Sequence, residues 1–124
     1  METTSVITAI GPDALGSDAA LVILFGETAT VPLQDVSVIQ RFTDRARQQA
    51  LTLAEGDTLQ VGSQGYTITH VGALANENLQ AIGHVALVFG PVPAESPLAN
   101  ALYLTPAQVT TFAVGETLTY RTAE

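Results

Sequence analysis

The chain has 124 residues, twelve of them acidic against four arginines and no lysine, for a formal charge of −8 at pH 7. Hydrophobic residues make up 47%, which suits a folded core in one domain over residues 1–124 and argues against disorder. The acidic balance repels phosphate backbones and anionic membrane surfaces, so binding of nucleic acid is not expected. Its bland reading is solubility; its sharper one is pairing with a basic face of a partner protein.

There is no cysteine, so disulfides, thiol catalysis and thiolate metal sites are excluded. No apolar run approaches the length of a membrane span, and METTSVITAIG has no basic leader, so direct membrane insertion is not expected and a cytoplasmic protein is.

Val6 to Ile10 reads as a short strand that Gly11-Pro12-Asp13 turns. Ala14 to Ala20 is small and polar, a loop or a weak helical turn. Leu21 to Phe25 is almost unbroken in apolar character, as in a strand buried on both faces. Gly26-Glu27-Thr28 ends it, and Pro32 stops regular structure again, lacking a donor for a sheet ladder. From Val36 to Phe42 the pattern alternates, with Val36, Val38, Gln40 and Phe42 on one side and Ser37, Ile39 and Arg41 on the other.

Thr43 to Gln49 is a solvated segment read as loop. It holds Arg45 and Arg47, which with Arg41 make three of the four cations. They are either ordinary surface charge or a local patch able to hold a phosphoryl group through the forked guanidinium donors.

Ala50 to Val71 reads as a β-meander. Glu55-Gly56-Asp57 turns into a strand through Leu59 and Val61, and Gly62-Ser63-Gln64-Gly65 is a hairpin loop. The return strand carries Tyr66, Ile68 and His70 on one face, which makes His70 a core-edge residue, and Gly72 breaks it. A helix follows over Asn76 to Ile82, with Asn76 as N-cap and Ala75, Leu79 and Ile82 on one face. Gly83 suits the positive φ that follows a helix, and a strand through Val85, Leu87 and Phe89 leaves at once.

The proline-rich run GPVPAESPLAN is an irregular loop. Ala101 to Leu104 is a strand, Thr105-Pro106 opens a turn with one helical turn through Val109, and Thr117 to Tyr120 is the last strand. Leu53 to Leu59 echoes Phe112 to Leu118, either as a turn-into-strand recipe used twice or as a mark of duplicated halves. The whole predicts a mostly-β fold, a small closed or nearly closed barrel with one short helix.

The run HVGALANENLQAIGHVALVF, above all Val71-Gly72, Glu77-Asn78-Leu79 and Gly83-His84-Val85, resembles the glucitol/sorbitol-specific IIA component of the bacterial sugar phosphotransferase system. The opening ITAIG, the strand LVILFG and the chain length fit the same family. The resemblance implies relay of a phosphoryl group on a histidine during glucitol/sorbitol uptake. The donor would be the histidine-containing phosphocarrier protein and the receiver the sugar transporter's IIB component, with no cofactor and no bound metal. It also implies that the acceptor histidine stands in a Phe-Ile-His context, which here is Val38-Ile39-Gln40. A carboxamide cannot carry a transferable phosphoryl group, and no histidine precedes His70. His84 is then the candidate catalytic residue, and three roles are open to it: a structural histidine at the helix-strand junction, a group beside the usual acceptor, or the acceptor itself. The alternative function is a IIA-like binding or regulatory module that is not phosphorylated.

Overall fold

Eight of the described segments form strands: some, such as Thr58–Val61 and Thr117–Arg121, alternate between apolar and polar residues, whereas Leu21–Phe25, Val85–Phe89 and Ala101–Thr105 are nearly unbroken apolar runs. The computed structural model describes residues 1–15, 20–95 and 97–122. Part of the expected loop over 14–20, and Ser96 in the proline-rich loop, lie outside the described residues.

The elements in chain order are β1 (Glu2–Ile10), β2 (Leu21–Phe25), α1 (Val31–Asp35), β3 (Val38–Phe42), α2 (Arg45–Ala50), β4 (Thr58–Val61), β5 (Gln64–Val71), α3 (Ala75–Ile82), β6 (Val85–Phe89), β7 (Ala101–Thr105) and β8 (Thr117–Arg121). The strands close into a barrel in the order β1-β3-β2-β6-β7-β5-β4-β8. Closure leaves no free sheet edge, which strands this short would otherwise expose to pairing with other chains. The small, largely β barrel expected from the turn spacing is therefore the fold, with three short helices among the described residues where one was expected.

Inward-facing residues at period two build one core. Ile7, Val22, Leu24, Val38, Leu59, Ile68, Leu87, Leu104 and Leu118 are almost fully excluded from solvent within it. A second, smaller cluster lies outside the wall, where Phe25, Ala29 and Ile39 pack together. Ile39 thus belongs to the other face of β3 from Val38 and Gln40, as the alternation predicts.

Two helices occupy segments read as irregular. Pro32 does not end structure; it stands at the start of α1, where the missing N–H is not needed. Thr43 to Gln49 is not a loop, because Asp44 caps α2 by accepting from the backbone N–H groups of Ala46 and Arg47. Only Gln48 of that helix is buried, so it has no apolar stripe to announce it.

Around α3 the expectation is half right. Ala75 and Leu79 are buried, but the Ile82 side chain is 37% exposed. It is the Ile82 carbonyl that packs, accepting from Gly26 N–H at 2.9 Å. Asn76 does not cap the helix. Its carboxamide instead accepts from Leu53 N–H at 2.8 Å and donates to Leu53 C=O at 3.0 Å, tying α3 to the strand-like run before β4. Gly83 takes φ +65° after the helix, as expected.

Further corrections concern turns. The β4–β5 hairpin is tighter than a four-residue loop, since Val61 already pairs with Gln64. No helical turn follows Pro106; residues 106–109 are irregular.

The barrel has a twofold likeness that the echo between Leu53–Leu59 and Phe112–Leu118 only hints at. Exchanging β1, β2, β3 and β4 with β5, β6, β7 and β8 returns the same cyclic strand order, and the two parallel pairs, β2/β3 and β6/β7, exchange with each other. Gly56 N–H donates to Ile68 C=O and Gly115 N–H to Ile7 C=O, both at 2.8 Å, with both glycines near φ +90°. The reciprocal bonds run from Ile68 N–H to Asp57 C=O and from Ile7 N–H to Glu116 C=O. Ile7 and Ile68 therefore correspond, and so do Ile7-Thr8-Ala9-Ile10-Gly11 and Ile68-Thr69-His70-Val71-Gly72. Each run slips register by one residue after its isoleucine, an irregularity of the bulge kind that re-aims the side chains beyond it.

Candidate functional site

Gln40 lies in β3 opposite Ile7 of β1, on the barrel interior, and is 1% exposed. Its Oε1 accepts from Ser5 Oγ at 2.6 Å and from Tyr120 OH at 2.7 Å. Its Nε2 donates to the Gly83 carbonyl at 3.0 Å. Only the nitrogen can face a carbonyl favourably, so these partners fix which way the amide points. Burial pushes the Tyr120 hydroxyl pKa far up, against the opposing effect of its bonds to Gln40 and Ser5. It is therefore a neutral hydroxyl at ordinary pH. Phe42, two residues on, stacks on the Tyr120 ring with centroids 5.6 Å apart.

Above Gln40 an open cleft of about 240 Å³ is lined by Gly26, Glu27, Thr28, Arg41, Phe42, Arg45, Gln48, Ala81 and Ile82. Of the three arginines read as a patch, Arg41 and Arg45 line this cleft and Arg47 does not. Arg47 turns away to the Glu2 carbonyl and lies 4.0 Å from Asp44. Arg45 donates to Gln48 Oε1 at 3.1 Å, and Gln48 Nε2 in turn donates to the Leu79 carbonyl at 3.0 Å. This chain of bonds fixes α2 against α3 and holds the Arg45 stem at the cleft wall.

His84 is next to the Gln40 network along the chain but not in the cleft lining. Its preceding carbonyl, that of Gly83, receives the Gln40 amide. Its own ring lies partly exposed, stacked on Phe25 with centroids 4.3 Å apart. Nδ1 lies 3.1 Å from the Leu24 carbonyl, which can only accept, so Nδ1 carries the proton and the Nε2 lone pair is left over. His70 is not on the Tyr66–Ile68 face. The register slip between Ile68 and His70 places it opposite Tyr103, in edge contact with that ring at 5.7 Å. Val71 turns back to the core in its place.

Among the described residues no group of three His, Cys, Asp or Glu is placed to hold a metal. None of the described helices is long and apolar enough to cross a membrane.

The sequence reading missed Ser5 and Tyr120, the two hydroxyls that hold Gln40. They come from positions 35 and 80 residues away, so no local pattern joins them.

A closed barrel with a cleft lined by Arg41 and Arg45 over a buried, hydrogen-bonded side chain defines a small β-barrel protein with a charged cleft at one end of β3. The family model for the PTS (phosphotransferase) system glucitol/sorbitol-specific IIA component matches residues 2–119, and the chain belongs to that family. The crystal structure of the PTS system IIA component from Enterococcus faecalis V583 is 41% identical to it and superimposes with a TM-score of 0.91. The match covers 96% of this chain and 99% of that one. No curated protein matches.

Proposed function

We propose that this chain, acting as one unit over residues 1–124 in the cytoplasm, is a IIA-type component that does not relay phosphoryl groups at position 40. It serves instead as a binding or regulatory module toward the histidine-containing phosphocarrier protein and the IIB component of a glucitol/sorbitol transporter. Family membership supports the partners. The observation that carries the rest is the Gln40 carboxamide, which accepts two hydroxyl protons on its oxygen and donates to Gly83 from its nitrogen. The amide lone pair is delocalised into the carbonyl, so neither atom offers a nucleophile comparable to imidazole.

A second reading is relay through His84 in the ordinary IIA manner, favoured by the free Nε2 lone pair on a partly exposed ring. In that step Nε2 attacks phosphorus, the donor's P–N bond breaks, and the donor imidazole leaves with the electron pair and regains a proton. The bond from Nδ1–H to Leu24 would steady the imidazolium that forms.

Incubation with phosphoenolpyruvate, enzyme I and the phosphocarrier, followed by intact mass at neutral or alkaline pH, separates the two. The first reading expects no added phosphoryl group on the parent protein. A stable adduct lost in His84→Gln and kept in His70→Gln would replace it with the second. With no adduct on the parent, Gln40→His tests whether the surroundings can still support transfer.

A further inference from the structure

The two halves of the barrel contain related clefts, and only one is charged. Register places Gln40 of β3 opposite Ile7, and Leu104 of β7 opposite Ile68, so Gln40 and Leu104 correspond, as do Arg41 and Thr105. Gly90 and Pro91 follow β6 as Gly26 and Glu27 follow β2. Gly90, Pro91, Leu104 and Thr105 line a second cleft, which holds no charged side chain. One backbone frame thus carries Gln40, Arg41 and Glu27 on one side and Leu104, Thr105 and Pro91 on the other.

The cations are distributed the same way. Arg121 faces Glu2 at 2.7 Å, and Arg47 lies near Asp44. Arg41 and Arg45 have no carboxylate partner among the described residues, and both line the charged cleft. In a chain with twelve acidic residues and four cations, two guanidinium groups left without carboxylates at one cleft mark a place for a negative ligand. The floor adds a donor. Gln40 Nε2 has two N–H groups, and Gly83 C=O takes up one.

We propose that this cleft binds a phosphoryl dianion noncovalently, between the Arg41 and Arg45 guanidinium groups and above the Gln40 amide. This rests on the reading that position 40 does not accept phosphate covalently. Forked guanidinium donors match phosphoryl oxygens, and a primary amide donates to one without reacting. Glu27 on the same rim opposes a dianion and limits its affinity. The dianion can come from a free phosphomonoester or from the phosphohistidine of the carrier protein; its chemistry at the cleft is the same.

The test is a ¹⁵N–¹H titration of the intact protein with inorganic phosphate and with glucose 6-phosphate, each against chloride at equal ionic strength. Saturable shifts are expected at the Arg41 and Arg45 side-chain N–H groups and the Gln40 carboxamide, with Leu104 and Thr105 unmoved. Arg41→Met and Arg45→Met, both at exposed positions, should each weaken binding about tenfold. Glu27→Gln should tighten it. Binding should strengthen as pH rises through about 6, where a phosphomonoester gains its second charge. If neither small probe binds, the same spectra with phosphorylated and unphosphorylated carrier decide whether the source is the protein: shifts at Arg41 and Arg45 with the phosphorylated form alone support the site. No saturable shift with any of these, or binding that survives both arginine substitutions, overturns it. The outcome is separable from the proposed function. An adduct on His84 would sink that reading and leave the cleft to be judged by its own titration, whereas a silent titration with no adduct would sink only the cleft.

Discussion

Tyr120 donates its hydroxyl to Gln40 Oε1 at 2.7 Å, and Ser5 donates to the same oxygen at 2.6 Å, with all three residues 0–1% exposed. A polar cluster this deep is tolerable only because its members satisfy one another, and that makes its removal measurable.

Gln40→Leu places in β3 the residue that β7 has at the corresponding position. The backbone frame accepts leucine, but Ser5, Tyr120 and Gly83 each lose a partner in a dry site. The expected cost is about 3 kcal/mol, and that of Tyr120→Phe about 1 kcal/mol, because Gln40 keeps its bond from Ser5. The double variant should cost less than the two summed, since both remove one bond. Urea midpoints of the four proteins give the comparison.

Alkaline pH should destabilise the fold through Tyr120. Burial raises its pKa in the folded state, so the folded form resists losing a proton that the unfolded form releases near pH 10. The stability this contributes is complete below about pH 10 and falls as pH rises through the window between the unfolded and the raised folded values. Tyr66, raised by burial as well, adds a smaller slope of the same sign. Urea midpoints measured upward from about pH 9 should fall less steeply in Tyr120→Phe than in the parent.

Asn76→Asp distinguishes a bridge from a cap. At a helix N-cap aspartate replaces asparagine with little loss. Here the side chain must also donate to Leu53 C=O, and a carboxylate in its place faces that carbonyl as a second acceptor. The expected destabilisation is about 2 kcal/mol. A melting temperature equal to that of the parent would mean that the bond to Leu53 C=O contributes nothing.

Gly26→Ala should be far worse than Gly65→Ala. A Cβ at Gly26 would lie 2.5 Å from the Ile82 carbonyl oxygen, against backbone that cannot move aside without breaking the bond between them. A Cβ at Gly65 meets nothing within 4 Å. Thermal unfolding should show a loss of several kcal/mol for the first, by the overpacking mechanism, and about 0.5 kcal/mol or less for the second.

The order of elements from Tyr66 to Phe89 was legible, because Tyr66 and Ile68 alternate with exposed neighbours, Val85 to Phe89 alternates in burial, and Gly83 marks the point where φ turns positive. Helix α2 was hidden because RARQQA offers no apolar stripe; its signal was the lone cap at Asp44. The outward turn of His70 was hidden for a different reason. A register slip is defined against the partner strand, and β7 lies some thirty residues further along the chain. The repeat ITAIG/ITHVG was nevertheless in plain sight, and it couples His70 to Ala9. Of the site, Gln40 drew notice only through the resemblance, which implies a histidine in its place. That it is buried, and that Arg41 and Arg45 share a cleft from which Arg47 is absent, follows from packing between elements and from no local spacing.

The Met1 amino group donates to the Thr122 carbonyl at 2.9 Å, so the end of β8 meets the start of β1 much as the end of β4 meets the start of β5 across Gly62-Ser63. Chain direction around this ring is therefore a matter of where it is cut. A short linker from β8 to β1, with the break moved to the Gly62-Ser63 turn, would produce a circular permutant that begins with β5 and closes in the same order. Arg41 and Arg45 would then lie in the second half of the polypeptide and Ala81 and Ile82 in the first, and the cleft they line together would keep its geometry.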